Sequence, residues 1–236
     1  MHDSCMRKHA TRVMKKGMVS SMEIIIRHEQ ELDYRNVEEL TREAFWNRYV
    51  PGCDEHYLVH SMRSMPAFLP DLDFVAEYHG NVIGNIMYTK ATIFGDDGRQ
   101  YPVLTFGPIS VLPEYQGRGI GSKLIQHTKA IAKSLGYQAI LIYGDPEFYK
   151  RVGFVAAETY SIGTQWDTYA VPLLACELTP GSLQHSAGRF FEDDLYQIDQ
   201  DVAMQFDQSF PPKEKVSNLP TQARFSELVA MNRPRK

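Results

Sequence analysis

The chain has 236 residues, a formal net charge of −4 and ordinary apolar and charged fractions. That length suits one globular domain with extensions, and the charge gives no support to a nucleic-acid or polyanion partner. Three cysteines, Cys5, Cys53 and Cys176, are too few and too scattered for a disulfide framework or a zinc site, so no metal is expected and a reducing cytoplasm is the simplest setting.

Residues 1–21 are polar and basic and lack the apolar run of a signal peptide or membrane span. They read as a flexible basic leader, with the physiological start at Met18 or Met22 and a basic interaction arm as open alternatives. Residues 23–27 read as a first strand. Asp33 is placed to cap a helix to Phe45, with Val37, Leu40, Ala44 and Phe45 inward, and Asp54 to cap a second helix to about Arg63. Residues 74–78 and 82–88 form a hairpin around His79-Gly80-Asn81, and a strand over 100–111 is interrupted by Gly107-Pro108, where proline has no ladder donor.

An amphipathic helix follows, with Ile120, Leu124, Ile131 and Leu135 on one face and Gly136 as its stop. The wholly apolar strand 139–143 suits burial on both sheet faces, and strand, helix, strand should make a right-handed parallel unit. Pro146 and Gly153 bracket a helix of under two turns. Phe190, Phe191, Leu195 and Tyr196 fit a strand or helix packed on the domain. The chain from Phe210 on is polar and turn-rich apart from a short helix candidate at 225–231.

The stretch that organises the rest is Gln116-Gly-Arg-Gly-Ile-Gly121, lying between strand and helix. Glycines let a backbone approach a ligand closely, and the first N–H groups of a helix attract phosphate. The dinucleotide fingerprint G-x-G-x-x-G fails because Ser122 stands at its last position; the Walker pattern fails because Ser122-Lys123 has the wrong order. What remains is Q-x-x-G-x-G after Ile109-Ser-Val-x-Pro, followed one strand later by Tyr149-x-x-x-Gly153-Phe154.

These two motifs resemble the acyl-CoA loop and the closing motif of the GNAT superfamily of N-acetyltransferases. The match covers roughly residues 23–178 and is sharpest over 103–154. Gly144-Asp145-Pro146-x-x-Tyr149 resembles a branch of uncharacterised bacterial acetyltransferases within it. The resemblance implies an α/β acyl-CoA N-acyltransferase fold, with a central mixed, mostly antiparallel sheet, a splayed parallel pair and flanking helices. The expected organisation is a leader (1–21), a GNAT domain (22–178) and a packed C-terminal extension with a frayed end (179–236).

The function implied is direct acetyl transfer from acetyl-CoA, as co-substrate, to a primary amine of a small molecule or peptide. No membrane partner is expected, and a monomer or homodimer is. Main-chain groups of Ile109, Ser110 and Val111 would hold the pantetheine, with an N–H near Val111 receiving the oxyanion. Gln116, Gly117, Arg118, Gly119, Ile120, Gly121 and Ser122 would surround the pyrophosphate. Tyr149 matches the family's general acid for the leaving thiolate, a role open to a phenol within reach of the sulfur.

Glu77 is a candidate base because period-two alternation puts it with Val75; Asp145 and Glu147 are others, and water relays are a further route. His56, His60, His79 and His127 read as surface histidines. Asp54, Glu55, Asp71 and Asp73 would suit a cationic acceptor or simply a solvated face, and residues 47–69 with the C-terminal segments would shape the acceptor pocket. Two rivals stand beside the enzyme: a non-catalytic acyl-CoA sensor, and a nucleotide-binding oxidoreductase that the failed fingerprint opposes.

Overall fold

The computed structural model describes residues 22–235. The basic segment 1–21 and Cys5 lie outside the described residues. In chain order the elements are β1 (Ile25–His28), α1 (Tyr34–Phe45), α2 (Glu55–Met62), β2 (Phe74–Tyr78), β3 (Asn81–Gly95), β4 (Gln100–Val111), α3 (Ile120–Ser134), β5 (Ala139–Tyr143) and α4 (Pro146–Tyr149). Then follow β6 (Val155–Ala156), β7 (Ile162–Thr164), β8 (Thr168–Ala170), β9 (Leu173–Glu177), β10 (Gly188–Phe191), α5 (Gln200–Asp207), α6 (Pro220–Ala230) and β11 (Asn232–Pro234).

The main sheet runs β1-β2-β3-β4-β5-β9-β6. Its pairs are antiparallel except β4 with β5, and β10 with β7 beyond the path. β3 is long enough to serve two partners on one edge. Its first half pairs β2, and its last residues, Thr92 to Gly95, pair β10. Residues past 178 therefore supply a strand of the sheet itself, which the sequence pattern had left open between strand and helix.

Alternation sorts the apolar side chains to two faces. Phe74, Ala76, Ile86, Tyr88, Leu104, Phe106, Ile140 and Ile142 pack with Ile120, Leu124 and Ile125 of α3. Val75 and Met87, the residues between, pack with Val37 of α1, Leu58, Val59 and Met62 of α2, and with Leu195 and Tyr196. β5 is apolar throughout because both of its faces are covered. The buried Tyr88 hydroxyl bonds Thr128 Oγ1 at 2.8 Å, so this polar group in the α3 layer is satisfied.

Several local expectations need correction. Asp33 stands at the start of α1 but makes no cap bond with its side chain; the carboxylate instead takes Arg27 and the N–H of Gln30. Asp54 precedes α2 and also makes no cap bond, because Gln200 donates to it at 2.7 Å. Leu135 is about half exposed, since α3 ends one residue earlier and the chain turns at Gly136 with φ +91. His56 is fully buried rather than at the surface, beside Asp207 of α5 and the rings of Phe206 and Phe210. The last helix begins at Pro220, five residues before the expected start, because proline suits a first helical turn.

The C-terminal chain folds back over α1 and α2. Arg42, 3% exposed at its side chain, donates to Asp207 at 2.6 Å. The Trp46 indole donates to the Glu214 carbonyl at 2.8 Å, and Gln222 to the Asn47 carbonyl at 3.0 Å. Among the described residues no helix is long and apolar enough to cross a membrane.

Candidate active site

The site is built on an interruption in β4. Ile86 pairs Ile109 and Tyr88 pairs Phe106, so Gly107 and Pro108 together oppose Met87. The extra residue is a bulge, which bends the strand and shifts its alternation: Phe106, Ile109 and Val111 all reach the α3 face. On the other edge β4 pairs β5 at Leu104↔Ile140 and no further. Past that point the two strands part and leave a gap.

Backbone polarity within the gap follows from the ladder. The N–H of Leu112 donates to the Ile83 carbonyl at 3.0 Å, and Gly84 stands opposite Val111. Val111 and Ile109 are thus in non-hydrogen-bonded positions with respect to β3, and their N–H groups point to the side that β5 has vacated. The Val111 carbonyl faces the same way and accepts from Gln116 Nε2 at 2.9 Å. Ser110 differs from its neighbours. Its main chain faces β3, and its buried hydroxyl donates to Thr41 of α1 at 3.0 Å, so it offers the gap nothing.

At the end of the gap the chain passes through a 3-10 turn (Pro113–Tyr115) into the glycine loop. Gly117 and Gly119 have φ of +73 and +79, a region where a Cβ is strained, which explains glycine at both places. Gly119 is the N-cap residue of α3 and contributes no side chain, and the first intrahelical bond is Lys123 N–H to the Gly119 carbonyl at 3.0 Å. The N–H groups of Ile120, Gly121 and Ser122 precede it and form an exposed positive pole. Ile120 anchors the loop by its buried side chain. Arg118 is exposed; it donates to the Glu114 carbonyl at 3.0 Å and lies over the Tyr115 ring, so its charge stays beside the loop.

Tyr149 ends α4, which Asp145 caps by accepting from the Glu147 N–H at 2.9 Å. The half-buried Tyr149 ring packs among Phe106, Phe148 and Phe154. Gly144 makes room for it, since a Cβ there would collide with the ring edge. Burial raises the Tyr149 pKa, the Tyr49 hydroxyl adds to the rise, and the Arg48 guanidinium opposes it. The phenol therefore keeps its proton through the physiological range. Arg48 also reaches Gln116 Oε1 at 3.5 Å, so the α1–α2 loop spans the glycine loop and Tyr149.

The base candidates stand elsewhere. Glu77 keeps the face of Val75, because the register shift after Ala76 inserts its extra residue on β3, and there it takes Arg27, which β1 brings opposite Val75, at 2.8 Å. Asp145 is engaged in its cap and by Arg224 at 3.5 Å, and Glu147 pairs with Lys150 at 2.7 Å. Asp73 is buried and bonded by Asn85, away from any open face. Burial, with Asp54 adding to it, pushes the Glu55 carboxyl up to about 7. The structure does not bring Glu77 into contact with Tyr149.

One carboxylate that no motif marked does border the gap. Glu192, just after β10, accepts from Thr105 Oγ1 at 3.5 Å. Thr105 follows Leu104, the last residue paired to β5, on the face opposite Phe106. Burial raises the Glu192 carboxyl to about 7, opposed by the Thr105 bond. Tyr196 joins it, with its hydroxyl on Thr89 Oγ1 at 3.1 Å and the Gly107 carbonyl at 3.4 Å. The available sequence signal was an acid two residues after Phe190, in phase with the buried side of a strand.

Residues 71–156 match the family described as "Acetyltransferase (GNAT) domain". Over 98 residues the chain is 35% identical to "Uncharacterized N-acetyltransferase YjhQ" of Escherichia coli K12, which covers 41% of this chain and 53% of YjhQ. The chain thus spans about half the length of that relative. It is 28% identical over 144 residues to "Uncharacterized N-acetyltransferase YhbS" of the same strain, covering 61% of this chain and 80% of YhbS. The fold of E. coli YhbS in complex with CoA matches with a TM-score of 0.66 at 23% identity, over 75% of this chain and 93% of that one. A GNAT family acetyltransferase from Brucella melitensis in complex with acetyl-CoA matches with a TM-score of 0.59 at 26% identity, over 74% and 99%. The chain carries a GNAT acetyltransferase domain on the α/β fold of that superfamily, and the E. coli N-acetyltransferases YjhQ and YhbS are among its homologues.

Proposed function

We propose that the chain is an acetyl-CoA-dependent N-acetyltransferase that passes the acetyl group directly from the thioester to a primary amine. The observation that carries this reading is the open gap beyond Leu104, flanked by the glycine loop at the start of α3 and by Tyr149. Acetyl-CoA in the Brucella melitensis relative supports the choice of donor.

The pyrophosphate binds the N–H groups of Ile120 to Ser122 and the loop Gln116 to Gly119. Pantetheine extends along β4, where its amides meet the unpaired main-chain groups of Ile109 and Val111 as a strand would. The amine attacks the carbonyl carbon, the C–N bond forms, and the oxyanion takes the Val111 N–H. Collapse breaks the C–S bond, and Tyr149 protonates the departing thiolate. Binding on one rigid frame supplies most of the rate by placement.

The test is release of free CoA thiol from acetyl-CoA across a panel of primary amines. Amine-dependent release supports the enzyme. Tight acetyl-CoA binding with no release across the panel overturns it in favour of an acyl-CoA-binding protein.

A further inference from the structure

Beyond Thr105, on the face of the sheet opposite α3 and Tyr149, lies a cavity of about 590 Å³ bordered by Tyr143, Gln165, Trp166, Phe190, Glu192 and Tyr196. The arrangement follows from strand parity. Thr105 shares a face with Val103, and Tyr143 with Leu141, whereas Leu104, Phe106, Ile140 and Ile142 face α3. The cavity and Tyr149 are therefore on opposite sides of the same opening between β4 and β5. A thioester carbonyl held in that opening presents one face to each.

Among the described residues the cavity wall contains two carboxylates, Glu192 and Asp193, and no lysine or arginine. Asp193 is engaged as a cap, accepting from the Leu195 N–H at 3.0 Å. Among the described residues Glu192 has only the long contact with Thr105, which leaves its second oxygen for a ligand. The other titratable groups around it are the Tyr143 and Tyr196 phenols, both raised chiefly by burial and further by the Glu192 charge. Arg189 of β10 is exposed, donates to the Gln165 carbonyl and lies over the Phe191 ring. Trp166 stands at the rim, 72% exposed. An acid at the base and aromatic faces around it recognise an ammonium group on an organic side chain.

We propose that this cavity is the acceptor site, that its ligand is a small primary alkylammonium compound, and that Glu192 is the general base that deprotonates it. The proposal rests on the acetyltransferase reading above. Glu192 takes one proton from the ammonium. The neutral nitrogen attacks the thioester carbon, whose π electrons move to oxygen. When the C–S bond breaks, sulfur keeps the bonding pair and takes the Tyr149 proton. The nitrogen's surplus proton passes through solvent to restore Tyr149, and Glu192 releases its own to solvent, so one proton is freed per turnover. The carboxylate form is the active one, and burial places its titration near neutrality.

Glu192→Gln keeps an oxygen to accept from Thr105 and removes the base. Two measurements test the proposal. The first is kcat/KM for alkylamines against pH, with the acetyl-CoA KM in parallel. The wild type rises to a plateau through about pH 7, and Glu192→Gln loses that limb and about 100-fold in kcat/KM with the acetyl-CoA KM unchanged. Wild-type rate and pH profile in the variant overturn the role of Glu192. The second is quenching of Trp166 fluorescence by alkylamines in the presence of CoA, with Trp46→Phe removing the other tryptophan. Saturable quenching that weakens at least tenfold in Glu192→Gln supports the cavity even if no amine turns over, in which case only the enzyme reading fails. Thiol release by amines that leave Trp166 fluorescence unchanged overturns the cavity and leaves the enzyme reading intact.

Discussion

On the α3 side of the β4–β5 gap the groups proposed to hold acetyl-CoA come from one continuous run, the strand, the glycine loop, α3, β5 and Tyr149 within residues 103–154, with Arg48 reaching it from outside. On the opposite side Thr105, Tyr143, Glu192 and Tyr196 arrive from β4, β5 and the segment after β10, which are distant in the chain. The first side is set by local constraints. A phosphate cradle needs positive-φ glycines at fixed spacing before a helix, and any chain that builds one must write it contiguously. The second side is set by which segment happens to close over the gap, so it is free to differ in chemistry while the donor side stays the same.

Changes on the two sides should separate in what they alter. The largest effect is expected on the donor side from Tyr149→Phe, which removes the proton for the thiolate: kcat should fall roughly 10³-fold with little change in acetyl-CoA affinity, measured by thiol release and by titration calorimetry. An unchanged kcat would remove Tyr149 from the reaction. Gly144→Ala makes the companion case, because its new methyl displaces the ring; a loss of about 10²-fold with normal CoA binding is expected.

The proposed acceptor side is built by packed segments rather than by a motif. Asp207→Ala leaves Arg42 buried without its partner and should cost about 3 kcal/mol in chemical unfolding. Stability equal to wild type would mean that α5 is held by its apolar contacts alone.

Glu192 gives a smaller effect of opposite sign. Its carboxyl stands at about 7 against an ordinary 4.5, so the folded chain binds this proton more tightly than the unfolded chain does. Below about pH 4 both states are protonated and the group is neutral in the balance. As pH rises towards 7 the folded state loses ground, by up to about 3 kcal/mol at higher pH, with side-chain relaxation bringing this nearer 2. Glu192→Gln should therefore be more stable than wild type above pH 7 and equal to it in acid, while being less active. A variant less stable at every pH would contradict the burial of a free carboxylate there.

Gly119→Val, at φ +79 in the loop proposed to hold the phosphates, should weaken CoA binding about tenfold, and unchanged affinity would falsify the loop assignment. Smallest is Arg118→Ala, expected to reduce CoA affinity a few-fold at low salt and less at high salt, since the side chain is exposed.

By itself the sequence determined what short-range chemistry dictates. The broken strand at Gly107-Pro108, the positive-φ positions at Gly117 and Gly119, the apolar β5, and the short helix between Pro146 and Gly153 are all local, and each appears in the structure as its composition implies. From those elements came the fold and the donor side. Tertiary structure alone decided the rest. Glu77 kept the Val75 face that alternation assigns, but β1 set Arg27 opposite Val75 and Arg27 took its carboxylate; strand phase does not show which neighbour will claim a charge. His56 went to the interior because α5 covers it, and α5 is distant in the chain. Glu192 acquired its environment from Thr105, Tyr143 and Tyr196, whose proximity depends on β10 extending the edge of β3. Spacing encodes a loop that binds through its own backbone, whereas a pocket made by side chains from several segments exists only after those segments have packed.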